Sequence, residues 1–514
     1  MPEANDALSL AQRNAVTELL RIAPVVDRLG DLFVAAGFEL YLVGGSVRDA
    51  LRGELGHDLD FTTSARPDDI EALLRQFTRG VPGAAVWDIG KEYGTIGARV
   101  PLSWPGSAAE PGPVGDPGDS AADWAYWLIE ITTFRSDVYR SDSRKPEVAF
   151  GDTIEGDLVR RDFTVNAMAI RLPDREFVDP HHGLADLSAG ILRTPGTPEQ
   201  SFSDDPLRMM RAARFTSQLS GPGLRFAPHP EVVAAMLAMA PRIEIISAER
   251  VRDELSKLVL TDRPRPGLNL LVETGIADHV LPELPALRLE VDEHHRHKDV
   301  YDHSLTVLEQ SIELERRRGH APDLVGRLAA LLHDIGKPAT RRFEEGGKVS
   351  FHQHDVVGAK LVKKRLRELR FSAEEIKHIA RLVELHLRFH GYGEGQWTDS
   401  AVRRYVRDAG DQLERLHILT RADCTTRNQR KARRLRQAYD DLEKRIATLA
   451  EQEELAAIRP DLNGDQVMEL LGIGPSRTVG EAYQFLLNAR MEHGPLGEER
   501  ATELLLQWWA DRNA

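Results

Sequence analysis

Asp58 and Asp60 stand two residues apart in the segment HDLDFTT, whose alternating apolar and polar side chains predict a β-strand. The two-residue period of a strand points both carboxylates to one face, a few ångströms apart and able to share divalent metal ions. Two metals held this way activate an attacking hydroxyl and neutralise a leaving pyrophosphate, as in polymerases. Upstream, LVGGSVRD places Gly44-Gly45 in a tight turn that feeds a helix. Backbone N–H groups there can approach a triphosphate, and Arg48 can offset its charge. Glu130, in WLIEITTFR, is the candidate third carboxylate on a neighbouring strand. A second concentration of chemistry lies further on, where eleven of the 18 histidines fall between His294 and His390. Imidazole and carboxylate together suit manganese, nickel, iron or magnesium, and spacing does not choose among them.

The elements that must position these residues follow from periodicity. Apolar side chains at helical spacing from about 8 to 36 (Leu19, Ile22, Val26, Leu29, Phe33) predict a leading helix that stops near Gly37. Leu40 to Val43 reads as a buried strand, Ser46 to Arg52 as a helix, and Asp58–Phe61, Gly94–Val100 and Trp127–Thr133 as further strands, which makes a small α/β sheet domain. The stretch at about 103–123, rich in Pro, Gly and Ser, has too little apolar content to bury a core and reads as a disordered insertion. From about Ala185 onward helical periodicity takes over. The resulting division is an N-terminal helix at 1–36, an α/β head at 37–178, a helical neck at 179–270, a helical body at 271–450 and a helical tail at 451–514.

At 514 residues, with 41% hydrophobic and 29% charged side chains, the chain can fill several cores, and a general disorder is excluded. No apolar run reaches the roughly 18 residues of a membrane span, and the N-terminus lacks the pattern of a signal peptide, so the expected compartment is the cytoplasm. The single cysteine, Cys424, excludes intramolecular disulfides and cysteine-cluster metal sites. The net charge of -14 argues against a polyanionic partner unless basic residues are segregated. They are. Lys360–Arg370 holds six Lys/Arg against one acid, and Thr425–Gln437 holds six and none. Lys363, Lys364, Arg430, Lys431, Arg433 and Arg434 are therefore candidate phosphate contacts for RNA, with few aromatics between them.

Three long motifs in series, LVGGSVRDALRGELGHDLDFTT, VRRDFTVNAMAI at 159–170 and SFSDDPLRMMRAARF at 201–215, resemble the bacterial tRNA nucleotidyltransferases that build the 3′ CCA end, in particular actinobacterial members with an HD domain. The resemblance implies a DNA polymerase β-like nucleotidyltransferase head followed by an all-α neck, an HD-type helical body and a helical tail. It implies tRNA, CTP and ATP as partners and Mg2+ at Asp58 and Asp60. Gly44, Gly45 and Arg48 would touch the triphosphate, and Arg161, Asp162 and Asn166 would hold the nucleotide. Asp205, Arg208 and Arg211 would face the base. Read as three apart on one helix face, Asp205 and Arg208 project an acceptor and a donor together, which favours cytosine or adenine over uracil or guanine. FRSDVYRSDSRKP at 134–146 matches a flexible loop of the family. Glu155 to Val159 departs from the family pattern, which weakens any role there, and Glu249–Lys257 matches a helical motif read as structural.

His333-Asp334 followed by Gly-Lys-Pro resembles the HD metal-dependent phosphohydrolases, whose ligands here would be His303, His333, Asp334 and Asp423. His354 and His386 are candidates for a second metal, with His352, His378 and His390 competing. The expected activity is template-independent addition of C, C and A to tRNA, with HD phosphohydrolase activity alongside. The alternatives are a bacterial poly(A) polymerase and an HD phosphohydrolase whose head binds nucleotide. No oligomeric state follows from the sequence.

Overall fold

The computed structural model describes residues 2–102, 126–135, 151, 153–288, 300–345, 348–391, 397–424, 429–453 and 459–513. The insertion expected at about 103–123 and most of the 134–146 loop lie outside the described residues. The chain divides into two compact units, Met1–Pro282 and Glu283–Ala514.

Unit 1 opens with α1 (Pro2–Ala35), which the left-handed Gly37 ends. There follow β1 (Leu40–Val43), α2 (Gly45–Arg52), β2 (Asp58–Thr63), α3 (Pro67–Phe77), β3 (Ala85–Gly90), β4 (Thr95–Pro101), β5 (Tyr126–Thr133), α4 (Ile154–Val159), β6 (Ala169–Leu172) and β7 (Phe177–Val178). The seven strands form one sheet in the order β3-β4-β5-β2-β1-β6-β7. All neighbours are antiparallel except β2 and β5. Alternation splits β5 cleanly. Trp127, Ile129 and Ile131 are buried on the face where Arg21 of α1 lies over the Trp127 ring, while Leu128, Glu130 and Thr132 point the other way. On that second face, at the β1 end, Val43, Phe134, Ile154, Leu158 and Ala169 make a core under α4.

Helices α5 (Gly183–Ala189), α6 (Pro198–Asp204), α7 (Leu207–Gln218), α8 (Pro230–Met239), α9 (Ala248–Val259), α10 (Arg265–Glu273) and α11 (Ile276–Val280) complete the unit, with a short pair of strands, β8 (Ile191–Leu192) and β9 (Ala227–Pro228), set among them. The unit thus runs past the 270/271 boundary read from the sequence. α10 lies so close to α7 that a Cβ at Gly267 would fall 2.2 Å from the Ala213 carbonyl oxygen.

Unit 2 contains α12 (Val300–Arg317), α13 (Leu324–Leu332), α14 (Lys337–Thr340), the hairpin β10 (Arg342–Glu344) and β11 (Lys348–Ser350), α15 (His354–Glu368), α16 (Ala373–Leu385), α17 (Asp399–Ala409), α18 (Leu413–Ala422), α19 (Gln429–Glu453), α20 (Gly464–Leu471), α21 (Arg477–His493) and α22 (Gly497–Asn513). The hairpin and the β8–β9 pair interrupt what the sequence reads as helix throughout. Strands of two or three residues are too short to register a period. α13 is buried from Val325 to Leu332 and forms the centre of the body, and Leu462, Val467, Leu471, Ala482, Leu486, Ala501 and Leu505 make a separate core for α20–α22. Among the described residues no helix is long and apolar enough to cross a membrane.

Candidate active site and metal centre

In β2 the residues alternate so that Asp58 and Asp60 are exposed and Leu59 between them is buried, which puts the two carboxylates on one face. The parallel register sets Glu130 of β5 directly beside Asp60. Ser46, at the start of α2, ties the helix to this strand: its hydroxyl donates to the Asp58 carbonyl oxygen at 3.2 Å and accepts from the Asp60 N–H at 3.0 Å. Desolvation pushes the Asp60 carboxyl up, with Asp58 adding to the rise and Arg161 and Arg48 opposing it. Glu130 is raised by burial and by Asp60 and Asp58. Asp60 and Glu130, both raised in this way beside Asp58, fit a divalent cation, whose charge would relieve the repulsion.

Beside them opens a cavity of about 470 Å³ lined by Gly44, Gly45, Arg48, Arg161, Asp162, Asn166, Asp205, Arg208 and Arg211 among others. Thus the residues drawn from three separate motifs meet in one place. Gly44 holds φ 68° and ψ -130° as the N-cap of α2, and a Cβ there would come within 2.7 Å of Arg161 Nη1. Arg48 donates from Nη1 to Asn166 Oδ1 at 2.6 Å, and Asn166 donates to Asp162 Oδ1 at 2.9 Å. Arg211 donates from Nε to Asp162 Oδ2 at 2.7 Å. Burial alone would raise the Asp162 carboxyl, but Arg211 and Asn166 hold it down at about 2. Asp162 is therefore an anionic support that fixes Arg211 and Asn166.

Arg161 and Asp162 do not pair with each other. Arg161 reaches Asp157 at 3.1 Å, and Asp157 also accepts from the Arg135 N–H at 3.3 Å. Asp157 lies in the Glu155–Val159 segment whose departure from the family pattern had argued against a role; i, i+4 spacing to Arg161 was the signal for it. Also unanticipated is the buried Glu254 of α9, which accepts from Arg214 Nε at 2.7 Å and lies 3.6 Å from Arg211. The Glu249–Lys257 motif thus backs the arginines of the cavity.

The geometry of Asp205 corrects the sequence reading. Asp205 and Arg208 are not on one face of a single helix: Asp205 is extended (φ -143°, ψ 100°) at the break between α6 and α7, because Pro206 disfavours helix at the residue before it. Its carboxylate accepts from Leu207 N at 3.1 Å and pairs with Arg250 at 2.8 Å. Arg208 donates to Ser201 Oγ at 2.9 Å and to the Arg160 carbonyl oxygen at 2.5 Å. Both still line the cavity, on supports that differ from the helix turn expected.

In unit 2 the ligand candidates gather around Asp334. His303, His333 and Asp423 form one group and Asp334, His354 and His386 another. Asp334 faces both. Its Oδ2 lies 3.2 Å from His333 Nε2 and 3.6 Å from His303 Nε2, and its Oδ1 lies 3.3 Å from His354 Nε2 and 3.9 Å from His386 Nε2. Asp423 Oδ1 is 2.9 Å from His303 Nε2, and Lys337 Nζ is 2.5 Å from Asp334 Oδ2. His333, His354 and His386 each set Nδ1 against a backbone carbonyl three residues back, at 2.8, 2.8 and 2.6 Å. That bond fixes the tautomer and turns the Nε2 lone pair inward. Burial, with His333 adding to it, pushes His386 down to about 4, which keeps its imidazole neutral. Burial pulls His333 down too, but Asp334 and Asp423 outweigh it and raise the group. The buried Nε2 of His354, turned towards Asp334, completes a donor set that fits divalent metal. Two of the competing histidines lie elsewhere. His352 is exposed beside Glu344, His378 pairs with Asp411 at 3.5 Å, and the His390 side chain lies outside the described residues.

Gly336 of the HDIGKP turn makes this packing feasible. A Cβ there would lie 2.0 Å from the His354 carbonyl oxygen and 2.7 Å from Gly358 N, both backbone atoms. Gly336→Ala should therefore push α15 away from the turn at a cost of about 3 kcal/mol, seen as a lower melting temperature in calorimetry. An unchanged melting temperature would show that α15 shifts freely.

Of the basic candidates, Lys363 and Lys364 are exposed on α15, and Arg430, Arg433 and Arg434 are exposed on α19; the Lys431 side chain lies outside the described residues. Arg365, in the same stripe, is held by Glu283 at 2.9 Å.

Three family models match the chain: "Poly A polymerase head domain" at residues 40–99 and 118–193, "Probable RNA and SrmB- binding site of polymerase A" at 225–287, and "HD domain" at 300–428. The A-adding tRNA nucleotidyltransferase of Deinococcus radiodurans is 34% identical over 91% of this chain and 95% of its own. The CCA-adding enzyme of Levilactobacillus brevis is 40% identical over 47% of this chain and 51% of its own. Among solved structures, the Bacillus stearothermophilus CCA-adding enzyme in complex with CTP shares the fold with a TM-score of 0.65 at 23% identity, over 96% of this chain and 98% of that one. The Thermotoga maritima CCA-adding enzyme complexed with tRNA does so with a TM-score of 0.56 at 19% identity, over 97% and 98%. With a polymerase β-like head, a carboxylate trio beside an arginine-lined cavity, an HD centre, and a relative alike along nearly its whole length, the chain belongs to the tRNA nucleotidyltransferase family.

Proposed function

We propose that this protein adds C, C and A to the 3′ end of tRNA from CTP and ATP, releasing pyrophosphate, in the cytoplasm. The observation that carries the reading is the meeting of Asp58, Asp60 and Glu130 with a cavity whose walls hold Arg48, Arg161, Arg208 and Arg211. Carboxylates collect metal and arginines collect phosphate. Mg2+ held by Asp58 and Asp60 would activate the 3′ hydroxyl and stabilise the leaving pyrophosphate. Arg48 and Arg161 would hold the triphosphate beside the Gly44 turn, with Asn166, itself held by Asp162, fixing Arg48 and Asp157 fixing Arg161. Asp205 would accept from the exocyclic amino group of cytosine or adenine and Arg208 would donate to the ring acceptor. The exposed lysines and arginines of α15 and α19 would meet the tRNA backbone. The HD centre would bind a divalent metal and support a phosphohydrolase activity of its own.

A second reading, addition of the terminal A alone, is favoured by the name of the relative that matches along nearly the whole chain. Transcripts ending before CCA and before the final A, each incubated with single labelled nucleotides, decide between them. Incorporation of CTP into the first transcript supports full CCA addition, and ATP incorporation into the second alone supports the narrower reading. If Asp205 and Arg208 select the base, Asp205→Ala or Arg208→Ala should raise use of UTP or GTP relative to CTP and ATP about tenfold or more, with tRNA binding little changed. Parental discrimination in both variants would remove them from that role.

A further inference from the structure

The reaction proposed above needs a seat for the RNA end as well as for the nucleotide. In-line displacement at phosphorus requires the attacking hydroxyl and the leaving pyrophosphate on opposite sides. The arginine-lined cavity includes Gly44, next to β1, and Leu207 and Arg211 of α7. On the other side of Asp58 and Asp60 in the sheet lie β5, β4 and β3, where an attacking hydroxyl would stand opposite that cavity.

The register of those strands places a particular set of side chains on that side. Asp60 lies beside Glu130, Glu130 beside Gly97 of β4, and Gly97 beside Trp87 of β3, so these four share one face. In the adjacent row Asp58 lies beside Leu128, and Leu128 beside Arg99. Trp87 is 39% exposed and Ile89 44% exposed, although the sheet offers a buried face to apolar residues. Both lean inward over β4. A Cβ at Gly97 would lie 2.8 Å from the indole and 2.6 Å from Ile89 Cδ1. The absence of a side chain at Gly97 therefore lets the indole lie across β4 towards Glu130. Three strand spacings of ~4.8 Å put Trp87 about 14 Å from Asp60. Arg99 stacks its guanidinium 4.8 Å from the Tyr126 ring centroid, and among the described residues its buried Nε has no hydrogen-bond partner.

We propose that this face is the seat of the tRNA 3′ end, with Trp87 as a stacking platform for a base of the terminal single strand and Arg99 as a contact to its phosphate. The proposal rests on the nucleotidyltransferase reading and adds the residues that hold its acceptor. An exposed indole and a stacked cation beside metal-binding carboxylates match single-stranded RNA, whose bases stack on aromatic rings whatever their identity and whose backbone takes a cation. Neither Trp87 nor Arg99 belongs to the motifs that mark the nucleotide site. Both would be positioning residues for the acceptor.

The test uses the full chain and a tRNA transcript lacking CCA whose last base is 2-aminopurine, a fluorophore quenched by stacking. The parent protein should quench it. Trp87→Ala should lose most of the quenching and raise KM for tRNA about tenfold, while CTP affinity stays within twofold. Trp87→Phe should restore both. Arg99→Gln should lessen the slope of log affinity against log salt by about 0.7, the value for one phosphate contact on a single strand. Parental quenching and KM in Trp87→Ala would overturn the proposal, as would a parallel loss of CTP affinity, which would mark Trp87 as a structural residue of the head. If the parent itself adds no nucleotide to any tRNA, the function reading fails. The quenching series still decides the platform.

Discussion

Asp60→Ala and Asp58→Ala should each abolish addition of every nucleotide, with single-turnover rates falling roughly a thousandfold or more at saturating tRNA and nucleotide. The size of the effect follows from shared use. Every step would draw on the same carboxylate pair, so no nucleotide escapes. Asp60 sits at the centre, with Asp58 two residues before it on the same face and Glu130 beside it in the register. Removing it should leave the fold intact, because desolvation, with Asp58 adding to it, already pushes its carboxyl up and makes the ionised form costly to hold. The melting temperature should therefore hold or rise, and CTP affinity measured without metal should stay near parental, since Arg48 and Arg161 remain. Asp60→Asn should fail as badly, because an amide keeps the shape but loses the charge that holds the cation. Turnover within about tenfold of the parent in either alanine variant would sink the assignment.

The second large effect is expected in the HD centre. Asp334→Ala should reduce bound divalent metal by at least a hundredfold in affinity, measured as metal content after dialysis against known free concentrations. Asp334 directs one carboxylate oxygen towards His303 and His333 and the other towards His354 and His386, so its loss strikes both ligand groups at once. His386→Ala, which touches one group, should lose less. Any metal-dependent phosphatase or phosphodiesterase activity should vanish with Asp334, whereas nucleotide addition at saturating tRNA should remain within about threefold. The two centres are built in separate compact units from separate ligands, and independent sites fail independently. Loss of metal can loosen the helices around α18 and weaken tRNA binding, which is why saturation matters. A fall in addition at saturation comparable to the Asp60 variant would show that the HD centre takes part in the transfer reaction.

Local order made much of this protein legible. The two-residue period of a strand puts Asp58 and Asp60 on one face whatever the partner strand, and Gly44-Gly45 reads as a turn because glycine is at ease with a positive φ. The sequential pair His333-Asp334 and the Gly-Lys-Pro after it identified the HD centre. Pro206 also carries a readable signal: it disfavours helix at Asp205, so the base-facing pair does not share one helix turn.

What tertiary structure alone decided has a common cause. Strand register set Glu130 beside Asp60 and carried the same row out to Trp87, across residues far apart in the chain. Packing of α7 against α9 brought Glu254 to the arginines of the cavity. Among the histidines, spacing could not separate His354 and His386 from His352 and His378, because ligation depends on which way each imidazole is turned, and a carbonyl three residues back in a packed helix end does the turning. Sequence spacing dictates which side chains share a face of one element. Which faces then meet is settled by the burial of apolar surface over the whole chain, and the distances between chemical groups on different elements follow from that alone.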